Sequence, residues 1–192
     1  MMSPENKGLQ LALATDSHIE ALLKLQEAFH KYSPPEKSEY TFAYEVANDP
    51  FTEEDFRKII NRNEVVILAN GDIPVGYMLI DTCSGTNGLK QFKDSVEKLI
   101  TADFLDPEVK QMPRFMEALN PQLYQREFDE VRWQMLATLI HYNRNKYKGL
   151  CYVFFTSTDI LFQKLNLGWK IAFDNGIYYY LVWEFSQLDN NQ

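Results

Sequence analysis

Glu130, Asp81, Tyr152 and Tyr178 are the residues of this chain that could move protons. Glu130 stands at the entrance of a long helical pattern and Asp81 near the end of a strand pattern. The two tyrosines lie inside strand patterns. A carboxylate can take a proton and a phenol can give one. Each residue also has a plain structural role open to it. Glu130 suits the first turn of a helix, Asp81 suits a strand-end surface site, and a tyrosine among 11 suits a packed ring. His141, in the middle of the long helix, reads as a surface or core histidine. Three scattered histidines and two cysteines offer no metal-ligand spacing, so no metal is expected. Cys83 and Cys151 read as buried free thiols rather than nucleophiles or a disulfide. The chain has no Ser-His-Asp context, no P-loop and no dinucleotide fingerprint.

The elements that must carry these groups follow from spacing. Gly149 to Phe173 is the most ordered stretch. Leu150 to Phe155 is an apolar run with β-branched and aromatic weight, which predicts a buried strand. Ser157 or Thr158 can cap the helix that follows, marked by Ile160, Leu161, Lys164 and Leu165. Gly168 stops it, and Trp169 to Phe173 begins another strand. A turn at Asp174-Asn175-Gly176 then leads to a strand over Ile177 to Phe185. Upstream, Asp129 to Tyr147 predicts a long helix with Val131, Met135, Leu136, Leu139 and Ile140 on its core face.

Nearer the start, Leu9 to Ala14 predicts a strand, and Asp16 or Ser17 caps a helix bearing Ile19, Leu22, Leu23, Gln26 and Phe29. Ser33-Pro34-Pro35 ends that helix, and Glu36 to Asn48 has no clean period. Thr52 to Asp55 forms a capping-box pattern before Phe56, Ile59 and Ile60. Glu64 to Ala69 and Ile73 to Cys83 form a hairpin about Asn70-Gly71, a turn that needs positive φ. Leu89, Phe92, Val96, Leu99 and Ile100 then fall at helical spacing. Asp106-Pro107 opens a short helix, Pro113 to Leu119 predicts another, and Gln122 to Phe128 predicts a strand.

Composition narrows the class. At 192 residues the chain is expected to be one domain spanning 1–192. A chain this size buries roughly 70% of its unfolded surface, enough for one core. A net charge of −8 disfavours nucleic acid and anionic membranes as partners. No apolar run nears membrane-spanning length and the first ten residues lack a leader layout, so a soluble cytoplasmic protein is expected. The aromatic strand Ile177 to Phe185, if left at an edge, could pair across a homodimer.

The order strand, helix, helix, hairpin, insert, long helix, strand, helix, Gly-Trp, strand, strand resembles that of the GNAT superfamily of acyl-CoA-dependent N-acyltransferases. Leu11 to Ile19 is similar to its opening strand and helix. Val65 to Ile80, with Pro74-Val75-Gly76-Tyr77, is similar to its central hairpin. Phe162 to Trp169 (Phe-Gln-Lys-Leu-Asn-Leu-Gly-Trp) is similar to its Gly-aromatic ending. The resemblance implies an α/β (α+β) fold with a mixed, mostly antiparallel central sheet flanked by helices. A helical insert at about 84–121 would follow the third strand. It implies an acyl-CoA such as acetyl-CoA as cosubstrate and a small-molecule amine as acceptor. Glu130 and Asp81 become candidate bases, and Tyr152 a candidate acid. The phosphate-binding loop would fall at Gln125 to Arg132, with Gln125, Arg126 and Arg132 as its phosphate contacts. The family's loop is glycine-rich, whereas this chain has no glycine between Gly88 and Gly149. Lys164 stands where the family often has an acidic tyrosine. Two other readings stay open: an acyltransferase that uses an acyl-carrier-protein donor, and a GNAT-like binding or interaction module without catalysis.

Overall fold

The computed structural model describes residues 8–30, 51–82, 87–155, 161, 164–176 and 178–187. Seven strands form one sheet in the order β1-β2-β3-β4-β5-β7-β6, mostly antiparallel and flanked by helices. The chain divides into two compact units. Among the described residues, one holds 8–30 with Phe51–Leu79 and Glu117–Asn143, and the other holds those from Ile80 to Met116 and from Arg144 to 187.

In the first unit β1 (Leu9–Leu13) pairs antiparallel with β2 (Val65–Asn70), which turns into β3 (Ile73–Asp81). Gly71 has φ 60, the conformation the Asn-Gly turn demands. A bulge between Leu68 and Ala69 absorbs the irregularity near Pro74. Helix α1 (Ile19–His30) buries Ile19, Leu22 and Gln26. The Gln26 amide brackets Phe51, accepting from its N–H at 2.7 Å and donating to its carbonyl at 3.0 Å. That contact delivers the chain to α2 (Glu53–Ile60). There Thr52 Oγ1 accepts from Asp55 N–H at 3.2 Å, and Thr52 N–H donates to Asp55 Oδ2 at 3.0 Å. Helix α4 (Asp129–Asn143) begins where the spacing predicts and ends four residues short of Tyr147. It buries Val131, Met135, Leu136, Leu139 and Ile140.

In the second unit β5 (Gly149–Phe155) pairs with β7 (Tyr178–Glu184), which also pairs with β6 (Lys170–Asp174). Gly168, at φ 87, closes the turn before β6, with Trp169 N–H donating to the Lys164 carbonyl at 3.2 Å. Cys151 and Val153 on β5, with Tyr180 and Val182 on β7, share one face of this half-sheet. Helix α3 (Asn87–Thr101) covers it with Leu89, Phe92 and Val96, at the spacing read in the sequence. A hydroxyl hydrogen bond between Ser95 and Tyr180 pins the helix down. Cys151 is buried and free. Cys83 and the caps proposed at Ser157 and Thr158 lie outside the described residues.

Three expectations are corrected. Arg114–Leu119 is strand β4 rather than a helix opened by Pro113. The Met116 and Leu119 spacing fits a helix, but parallel pairing of Arg114 with Cys151, and Cys151 N–H donating to the Pro113 carbonyl at 3.0 Å, take the segment into the sheet. Gln122–Phe128 is not a strand. Pro121–Tyr124 and Arg126–Phe128 are two 3₁₀ turns. Asn120-Pro121, which looks like a helix breaker, is here a start signal: Asn120 Oδ1 accepts from Gln122 N–H at 3.1 Å, with Pro121 in the first position. Finally, β7 is interior, between β5 and β6, so it presents no edge for a dimer partner.

Candidate active site

Strands β4 and β5 are parallel and registered at one pair, Arg114 with Cys151. Around that pair the second unit gathers its buried charges and rings. Asp81, at the last position of β3, is 1% exposed, and so is Arg114. Arg114 Nε donates to Asp81 Oδ2 at 2.8 Å and its Nη2 donates to the same oxygen. The candidate base Asp81 is therefore engaged by a guanidinium, not a strand-end surface carboxylate. A buried ion pair is costly to desolvate and survives only with close geometry.

Alternation along β4 and β5 sends the next residues to the other face. Phe115 stands edge-on to Tyr152, with ring centroids 5.2 Å apart at 89°, and Trp169 lies 5.8 Å from Tyr152. Lys164 is 1% exposed, with its Nζ 4.9 Å from the centre of the Tyr152 ring and 5.8 Å from that of Phe115. An ammonium over aromatic faces is attracted by their negative quadrupoles, more strongly when water is excluded. The candidate acid Tyr152 is thus half-buried beneath a cation. Lys164, the departure from the family's tyrosine, holds its ammonium over this ring.

The remaining candidates belong to the first unit and its helix α4. Glu130 is exposed in the first turn, where its partner is Gln134, Nε2 to Oε1 at 3.5 Å. Gln125 and Arg126 are exposed in the two 3₁₀ turns. Arg132 is 1% exposed and donates to Asp129 one turn earlier, so this expected phosphate contact is occupied within its own helix. Asp81 and Tyr152 fall in one unit, and Glu130, Gln125, Arg126 and Arg132 in the other.

The segment before α4 spends several of its backbone N–H groups on its own turns. A pyrophosphate cradle aims free backbone N–H groups at the anion. Here the N–H groups of Leu123, Gln125 and Phe128 donate to Asn120, Gln122 and Gln125 carbonyls at 2.8, 3.2 and 3.0 Å. Asp129 N–H donates to the Arg126 carbonyl, and Gln122 N–H to the Asn120 side chain. Glu127, Asp129 and Glu130 then present carboxylates at the positive helix end. Among the described residues no three His, Cys, Asp or Glu side chains gather as a metal site requires. No helix among them is long and apolar enough to cross a membrane.

Sequence reasoning missed Arg114, Phe115 and Trp169 as neighbours of the candidates. The signal lay in Arg114 itself, a charge in a mostly apolar segment that continues to Leu119.

No protein-family profile and no curated protein sequence matches the chain. Solved structures do. A putative acetyltransferase, YncA of Salmonella typhimurium, solved with acetyl-CoA, aligns over 93% of this chain and 95% of its own at 7% identity, TM-score 0.59. The PaiA N-acetyltransferase of Thermoplasma acidophilum, solved with coenzyme A, aligns over 92% and 98% at 8% identity, TM-score 0.55. The ribosomal-protein-S18-alanine N-acetyltransferase of Escherichia coli aligns over 92% and 94% at 10% identity, TM-score 0.53. The chain has the GNAT fold over nearly its whole length, at a sequence distance that fits divergence.

Proposed function

We propose that this protein is a single GNAT-like acyltransferase domain that moves an acyl group from a thioester donor, acetyl-CoA or another acyl-CoA, to a small-molecule amine. The observation that carries this reading is the parallel β4–β5 junction, registered at one residue pair and flanked by a half-buried tyrosine beneath a buried lysine. The solved neighbours, two of them holding acetyl-CoA or coenzyme A, support it. In this reading Tyr152 gives a proton and Lys164 orients its ring. Asp81 fixes Arg114 instead of acting as a base. Gln125 and Arg126 are the side chains left to meet phosphate.

The spent N–H groups and the carboxylates before α4 favour a second reading, a GNAT-fold binding module without catalysis. One experiment separates the two. The purified chain is melted with acetyl-CoA, with CoA and alone, and thiol release is followed with a panel of amines. Ligand at about 100 times its Kd adds roughly 2.7 kcal/mol, a shift of a few degrees. A shift with both nucleotides, together with thiol release that falls at least about tenfold in Tyr152→Phe, supports the transferase. No shift and no thiol release at millimolar ligand would leave the binding module.

A further inference from the structure

The sheet ends in two strands of different character. β1 and β6 are its terminal strands, and among the described residues no strand pairs with the outer side of either. β6 carries the devices that keep an edge from pairing. A bulge between Ile171 and Phe173 breaks its register, and the strand begins with Lys170 and ends with Asp174. β1 carries none of them. It reads Leu-Gln-Leu-Ala-Leu, without charge or proline, and pairs with β2 in unbroken register from Leu9 to Leu13. Leu9, Leu11 and Leu13 are half-buried on one face, and Gln10 and Ala12 are exposed on the other.

The ladder fixes which backbone groups this edge offers. Ala14 N–H donates to the Val65 carbonyl at 3.0 Å, and Gly71 N–H donates to the Gly8 carbonyl at 3.4 Å. Even-numbered residues of β1 therefore turn their N–H and C=O groups toward β2, and Leu9, Leu11 and Leu13 turn theirs outward. A row of outward donors and acceptors is a template for one more strand. Leucine stands at both ends and at the middle of β1. An identical strand, laid antiparallel about a two-fold axis at Leu11, pairs Leu9 with Leu13, Leu11 with Leu11 and Leu13 with Leu9. Each of these is a hydrogen-bonded pair, because the outward groups belong to the leucines. The leucines of both copies fall on one face. Gln10 meets Ala12 on the other, in the closer, non-hydrogen-bonded type of pair. Charge favours this edge too: the chain carries −8, so two copies repel, and β1 sets no charge against its own copy. We propose that β1 is a self-association edge, through which two copies of this chain join their sheets as an isologous dimer. Strands this short bury less than the roughly 1,200 Å² of a stable interface, so the dimer is reversible, with a Kd above about 1 μM. This association does not depend on acyl transfer.

Sedimentation velocity on the full chain, from about 10 μM to about 1 mM, tests it. The parent should pass from monomer to dimer across this range. Two double variants then probe the register. Gln10→Glu with Ala12→Glu sets carboxylate against carboxylate in both Gln10–Ala12 pairs and should weaken association roughly tenfold. Both positions are exposed, so its melting should change little. Gln10→Lys with Ala12→Glu sets opposite charges in the same pairs and should return the dimer to at least the parent's strength. Three results overturn the proposal: a monomer at every concentration, a dimer that Gln10→Glu with Ala12→Glu leaves unaltered, or equal weakening by the two double variants.

Discussion

Two regions of this molecule keep the GNAT fold in opposite ways. The segment from Asn120 to Phe128 keeps the shape of a strand-to-helix entry and uses its donors on itself. The junction of Asp81, Arg114 and Cys151 keeps two desolvated charges. The first spends several of its N–H groups, and the Asn120 side chain, on its own turns. The second carries the cost of buried charge, and such costs mark functional sites more often than satisfied turns do. The contrast teaches where chemistry should be sought. A motif position inherited from a fold is weaker guidance than a place where the chain sustains an unfavourable arrangement.

The largest effect should come from breaking the charged junction. Asp81→Asn leaves Arg114 buried without its carboxylate and should cost about 3–5 kcal/mol in denaturant unfolding. The paired change Asp81→Leu with Arg114→Met should recover most of that loss. A single variant as stable as the parent would make the pair incidental and remove the contrast.

Next in size is Gly149→Ala at the start of β5. A Cβ there would lie 2.6 Å from the Trp183 carbonyl oxygen and 3.1 Å from Met112 Sδ. Backbone cannot step aside as a side-chain end can, so overpacking should cost roughly 1–3 kcal/mol. Unchanged melting would mean that β5 has slack here.

Cys151 gives a pH test of the same half-sheet. Burial pushes its thiol well above the ordinary value of 9.0. The folded thiol keeps its proton while the unfolded one ionises, so the contribution is fully present below pH 9 and is lost above it. At pH 10 the loss should be about 1.4 kcal/mol relative to Cys151→Ala, whose alkaline limb lacks this component. Parallel alkaline limbs in the two proteins would show the thiol reached by water.

Much of this fold was legible because its signals were local. The Asn-Gly hairpin, the Thr52 cap, the Leu89, Phe92 and Val96 stripe and the start of α4 at Asp129 each follow from a few neighbouring residues. Arg114–Leu119 was not legible. Its strand character comes from its place between β3 and β5, partners distant in the sequence. Gln122–Phe128 reads as a strand from the alternation of its side chains, which two successive 3₁₀ turns override. The site followed the same division. Asp81 could be flagged as a carboxylate closing an apolar strand, but its partner sat in a segment assigned to a helix. Lys164 was visible as a departure from the family pattern, and its place over the Tyr152 ring was not, because cation–ring contacts leave no spacing to read.

Removing the turn cap sharpens the other half of the contrast. Asn120→Ala deletes the acceptor for Gln122 N–H and should cost about 1 kcal/mol. If the first 3₁₀ turn then loosens, its freed N–H groups become available, and CoA affinity should rise rather than fall. Lower affinity would show that the capped turn is itself the phosphate-binding form.

The smallest expected effect concerns charge alone. Glu127 is exposed in the second 3₁₀ turn, just before α4. A carboxylate there is favourable for the helix and unfavourable for a phosphate approaching the same end. Glu127→Gln should therefore tighten CoA binding about two- to fivefold at low salt, with the gain shrinking as salt screens it. The measurement is calorimetry at two ionic strengths. A gain that survives high salt would point to a direct contact instead of a field. No gain at either salt would mean that phosphate does not approach this helix end, and the pyrophosphate position implied by the fold would have to be abandoned for this chain.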